Sequence, residues 1–189
     1  MKEQLAAIQE RLFAKSDQSN IEFFSKMVPG KQKIYGVKTP ELNQIAKEYK
    51  SGGFELVTAL WKSGALEEKV IAIKILEQIG KKDVETTLKL VQEFARKIDN
   101  WAVCDGLGMQ ALKGVRKTNT EEIFALARVY SQSKDPWQRR LSLVMVEWYT
   151  RDNSLHTRIK SLVKSLQDDE EYYVKKAVQW INRNFAKKK

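Results

Sequence analysis

With one cysteine, Cys104, the chain cannot form an intramolecular disulfide, and its one histidine, His156, leaves a His/Cys zinc site without enough ligands. Packing must therefore stabilise the fold. No apolar run approaches the roughly 18 residues that a membrane span needs, and the N-terminal MKEQLAAIQERLF carries charge where a signal peptide would be apolar. A soluble, cytoplasmic protein is expected. Three prolines, little low-complexity sequence and no convincing strand pattern leave helix as the main local structure. GxxxxGK[ST], GxGxxG and HExxH are absent, which removes the common nucleotide and zinc-protease signatures. Cys104 projects about 100° from Asp105 on a helix and stands 52 residues before His156, so a Cys/His nucleophile is not expected.

What is present is helical periodicity. Val84, Leu88, Val91, Ala95 and Ile98 share one face, as do Leu155, Ile159, Leu162 and Leu166, and again Val174, Ala177, Ile181 and Phe185. Thr39-Pro40 and Asp135-Pro136 read as helix starts, with Asp83, Thr120 and Ser154 as further capping residues, and Gly64, Gly80 and Gly114 as breaks. The predicted helices lie near 2–14, 20–28, 40–49, 54–62, 67–79, 83–97, 100–113, 121–132, 136–150, 155–166 and 171–186.

From residue 54 the helices come in pairs. The second members start near Glu67, Asn100, Pro136 and Glu171, spaced by 33, 36 and 35 residues. A two-helix unit with this period and weak identity between units points to an all-α, HEAT-like α-solenoid of antiparallel helix pairs, with an irregular bundle as the alternative. A single repeat domain over 1–189 is expected, with N-terminal helices over 1–50 and stacked pairs over 54–186.

The 189 residues hold 34 Lys and Arg against 24 Asp and Glu, a net charge of +10 that favours polyanionic partners. Lys31, Lys33 and Lys38, Arg96 and Lys97, Lys113, Arg116 and Lys117, Lys175 and Arg183, and Lys187 to Lys189 gather at predicted helix ends and loops. If five or six of these contact phosphates, affinity falls with salt at a log-log slope of roughly −5. Successive second helices each pair an aromatic residue with a charge. Trp101 precedes Asp105 by one turn, Trp137 precedes Arg139 and Arg140, and Tyr173, Lys176 and Trp180 follow at i, +3 and +7. Cations hold phosphates while rings contact bases or sugars, so such a surface suits nucleic acid. Taken singly, each tryptophan also fits a core position. Gly106 and Gly108 cost a helix interior about 1 kcal/mol each. Either something approaches the backbone closely there, or the glycines permit tight helix packing.

GVKTPEL at 36–42, Trp101 and Asp105, the WQRR of 137–140 and the KKAVQW of 175–180 together resemble the AlkD-like DNA alkylation repair glycosylases, a family built from HEAT-like repeats. The resemblance runs to about Phe185. It implies a DNA glycosylase that hydrolyses the N-glycosidic bond of cationic N3- or N7-alkylpurines in duplex DNA without flipping the base. Asp105 would be the catalytic carboxylate, and Trp101 and Trp180 would contact the lesion deoxyribose. Arg140 would contact DNA nearby. The aromatic and cationic pattern places Arg139, Trp137, Lys176, Tyr173 and Lys38 on the DNA as well. A tyrosine of the family falls at Met27, near Phe23 and Phe24. No metal or cofactor is implied, and a monomer near the nucleoid is expected. The rival class is a non-catalytic HEAT-repeat module that binds DNA or an acidic protein.

Overall fold

In a computed structural model, which describes residues 1–186, helices and the loops between them make up the protein, with no strand among the described residues. Lys187 to Lys189 lie outside them. Two compact units are present, Met1–Phe94 and Ala95–Lys189.

The first unit holds α1 (Lys2–Ala14), α2 (Gln18–Met27), α3 (Thr39–Tyr49), α4 (Gly53–Ser63), α5 (Leu66–Ile79) and α6 (Val84–Ala95), whose last residue passes the boundary. α4 and α3 pack on α5, and α1 packs on α4. Ile8, Leu12, Ile45, Leu56, Leu60, Ile71, Ile75 and Leu76 are fully buried there, each contributing about 1.5–3 kcal/mol. α5 is buried on most sides. Its burial extends to Glu67, Glu68, Lys69 and Lys74. The Glu67 carboxylate accepts from the backbone N–H groups of Tyr35 (3.1 Å), Gly36 (2.7 Å) and Val37 (3.2 Å). Glu68 accepts from the Tyr35 hydroxyl at 2.8 Å and from Gln9 at 3.2 Å. Two buried acids thus fasten the loop that leads into Lys38 and α3. Gly36 sits at φ +77°, and a Cβ there would run into the Asp17 carbonyl and Ile21.

The second unit holds α7 (Trp101–Asp105), α8 (Thr120–Ser131), α9 (Pro136–Val146), α10 (His156–Ser165) and α11 (Tyr172–Ala186). α9 is its centre and touches each of the other four, while α8 also packs on α10. α8 packs most extensively on α9, as expected of one predicted first and second helix, and α7 and α11 both pack on α9, while α10 packs on α9 and α8.

Boundaries agree with the periodicity to within a few residues, with two informative departures. The predicted helix over 100–113 is α-helical only to Asp105, then widens into a π-turn at Gly106–Gln110 and tightens to a 3-10 turn at Ala111–Gly114. A Cβ on Gly108 would meet Val144 Cγ1 at 2.7 Å and the Met145 nitrogen at 3.1 Å. The glycine therefore admits the backbone of α9, and close helix packing accounts for it. Gly114, read as a break, ends the 3-10 turn and is exposed, while Val103, Leu107 and Ala111 are fully buried. The helix predicted over 136–150 ends at Val146 and continues as a 3-10 turn over Glu147–Arg151. Gly64, at φ +88°, ends α4 in the left-handed conformation expected of a C-terminal glycine.

Candidate active site

Two N-caps set the register of the site. The Asn100 side chain accepts from the Val103 N–H at 2.9 Å, which starts α7 and places Trp101 at its first turn and Asp105 at its last residue. Asp135 accepts from the Trp137 N–H at 2.9 Å and Pro136 occupies the first turn, so Arg140 falls one turn into α9. With Gly108 letting α9 close in, Arg140 reaches Asp105 across the interface.

The contact is a bidentate fork. Arg140 Nε donates to Asp105 Oδ1 at 2.9 Å and Nη2 donates to Oδ2 at 2.8 Å. The third edge of the guanidinium donates through Nη1 to the Tyr173 carbonyl at 2.7 Å. One side chain of α9 thereby ties α7 to the first turn of α11. The Arg140 side chain is only 8% exposed, whereas that of Asp105 keeps 24%. Burial pushes the Asp105 carboxyl above its usual range, and the hydrogen bonds and charge of Arg140 pull against that rise without cancelling it. Burial likewise works against the Arg140 charge, but the bonds and field of Asp105 outweigh it and hold the guanidinium above its ordinary value. Cys104, fully buried beside Asp105, has its thiol pushed well up by burial, and its Sγ lies 3.7 Å from the Trp137 carbonyl.

Aromatic rings continue outward from this pair. Trp137 and Tyr173 stack with centroids 4.9 Å apart, Tyr172 stands edge-on to Tyr173 at 5.0 Å, and Lys176 Nζ lies 5.3 Å over the Tyr172 ring. Arg140, Asp105, Tyr173 and Trp137 are thus brought together, with Lys176 joined through Tyr172. Trp101 and Trp180 are half-buried, on α7 and α11 respectively. Arg139 is spent on structure: it donates to Asp169 at 2.6 and 3.3 Å and to the carbonyls of Ser133 and Lys134 at 3.0 Å each. Lys38 belongs to the first unit, where it is exposed at the start of α3. Two residues were not singled out from the sequence. Tyr172, 61% exposed, had a visible signal in its position beside Tyr173, but Asp169, thirty residues from Arg139, had no local one.

Among the described residues no group of three or more His, Cys, Asp or Glu side chains could hold a metal ion. No helix among them is long and apolar enough to cross a membrane.

What these elements define is an all-helical protein whose second unit holds a partly exposed carboxylate gripped by a buried arginine, which in turn bonds the backbone of a stacked tyrosine. A family profile described as DNA alkylation repair enzyme matches residues 8–189, nearly the whole chain, and the protein belongs to that family. No curated protein sequence matches the chain. Membership makes it an enzyme of DNA alkylation repair, with DNA as its partner.

Proposed function

We propose that the protein is a monofunctional DNA glycosylase, which hydrolyses the N-glycosidic bond of cationic N3- and N7-alkylpurines in duplex DNA without flipping the base. The observation that carries this reading is Asp105, a carboxylate held in fixed geometry yet still open to solvent in a chain of net charge +10. An alkylated purine already carries positive charge, so it departs as a neutral base when the C1′–N bond breaks and takes the bonding pair with it. The sugar is left as an oxocarbenium-like cation. Asp105 stabilises that charge, and a water adds to C1′ and gives up its proton to the carboxylate or to solvent. Trp101 and Trp180 offer electron-rich faces to the cationic sugar. Trp137, Tyr173, Lys176 and Lys38 serve the surrounding DNA, and helix pairs of HEAT-like repeats carry the whole as a monomer at the nucleoid.

A second reading, a HEAT-type module that binds DNA without cutting it, is favoured by one observation. Arg140 already neutralises Asp105, which reduces the repulsion that a carboxylate would otherwise offer to phosphate. The deciding experiment is single-turnover release of 7-methylguanine and 3-methyladenine from methylated duplex, comparing wild type with Asp105→Asn. Release by wild type with a loss of about 10²–10³-fold in the variant, duplex binding being kept, supports the glycosylase. No release by wild type, together with salt-sensitive duplex binding, supports the binding module.

A further inference from the structure

The sequence resemblance placed Arg140 on the DNA, but in the folded chain each of its three side-chain nitrogens is already engaged. Nε and Nη2 engage both oxygens of Asp105, Nη1 engages the Tyr173 carbonyl, and the residue is 6% exposed. A phosphate could reach the remaining N–H groups only by entering a buried place or by displacing these bonds, which is costly for a charged group. We propose that Arg140 is a positioning residue, which aims the Asp105 carboxylate at the reacting sugar and does not grip a DNA phosphate. The proposal rests on the glycosylase reading for its chemistry, though not for its geometry.

A carboxylate on a short side chain can turn about its last bond, and the fork stops that rotation. Two of its roughly four acceptor directions face Arg140, which leaves the remaining ones for the sugar or the attacking water. The same contact controls charge. Burial favours the protonated carboxyl, which would be useless to an oxocarbenium ion, and Arg140 is the cation that opposes burial. The charged and titratable groups that face Asp105 are Arg140 from α9 and Cys104 from α7 itself; Asp135, at the N-cap of α9, acts on Cys104, and α11 contributes the Tyr173 carbonyl through Arg140. The anchor on α11 matters as well. It holds the guanidinium by a third point, so Asp105 is registered against the helix that carries Trp180.

The test uses the full chain as wild type, Arg140→Gln and Arg140→Lys. Three quantities are measured: single-turnover release of 7-methylguanine at saturating enzyme across pH, duplex affinity across salt, and titration of the Asp105 carboxyl signal in carbon-13-labelled protein, assigned by its loss in Asp105→Asn. Arg140→Gln is expected to lose about a hundredfold in saturating rate, as a misplaced catalytic group does, while its duplex affinity and salt slope stay near wild type. Its acid limb and the Asp105 titration both move to higher pH, and Arg140→Lys, which keeps the charge but not the fork, recovers part of the rate. Cooperative melting of Arg140→Lys controls for folding. An unchanged saturating rate in Arg140→Gln, with a salt slope smaller by about one, would make Arg140 a phosphate contact and overturn the proposal. If wild type releases no base, the glycosylase reading fails and the aim at a reacting sugar falls with it, and the carboxyl titration then decides only whether Arg140 holds the Asp105 charge in place. An Asp105 signal that titrates higher in Arg140→Gln than in wild type upholds that role, and one at the same pH in both overturns it.

Discussion

The two central helices, α5 in the first unit and α9 in the second, both bury ionic side chains, and they satisfy them in different ways. Glu67 and Glu68 on α5 are each 2% exposed and bond to backbone N–H groups, a tyrosine hydroxyl and a glutamine. Every partner is neutral and the acids are sealed, so their work ends with holding a loop. Arg140 on α9 is equally buried, but its partner is a carboxylate that retains 24% exposure. Burial of charge is thus common to both, and what separates a strut from a candidate reactive group is how much of the partner still faces solvent. A search for deeply buried charge would have ranked α5 first.

The largest effect expected from breaking this comparison is at Asp105. Asp105→Asn removes about 10²–10³-fold of the single-turnover rate, whereas Glu67→Gln leaves the rate at saturating enzyme near wild type. The same carboxyl should show itself in stability. Its pKa is raised in the folded state, so the folded chain keeps this proton to higher pH than the unfolded chain does. Stability linked to it is fully present below the ordinary value of 3.8 and is lost as pH rises through the raised folded value. Relative to Asp105→Asn, wild type therefore loses melting temperature over that window, and a difference that stayed flat with pH would contradict the raised value.

Next in size is Glu67→Ala, which strands three buried N–H donors and should cost about 3 kcal/mol in urea unfolding. Gly108→Ala should cost about 2 kcal/mol through overpacking against Val144, and shift the α7–α9 spacing enough to lower the excision rate as well. Trimming the neighbour in a Gly108→Ala, Val144→Ala double variant restores part of the rate if spacing is the cause. The smallest effect is at the cap. Asn100→Ala should cost about 1 kcal/mol, and thermal melting resolves it.

Local signals made most of the helical frame readable. A cap such as Asp135 needs only three residues to act, and apolar stripes such as Val174, Ala177 and Ile181 repeat within one helix. Trp101 and Asp105 could be paired for the same reason, since they lie one turn apart. The ion pair between Asp105 and Arg140 spans 35 residues and depends on how closely two helices approach, so no window on the chain contained it. The reason for Gly108 was hidden because glycine's helical cost is visible in sequence and the neighbour that requires it, Val144, is not. Arg139 and Arg140 look interchangeable as adjacent cations. Their partners, Asp169 and Asp105, divide them into a loop staple and a site residue.

Cys104 gives the molecule a built-in clock. A fully buried thiol whose ionisation is suppressed reacts slowly with iodoacetamide, so labelling must wait until α7 separates from α9. Because it is the only sulfhydryl in the chain, the labelling half-life reads one event, the opening frequency of the very interface that holds Asp105. A bound duplex that braces the two helices lengthens that half-life, and a duplex bound elsewhere leaves it alone.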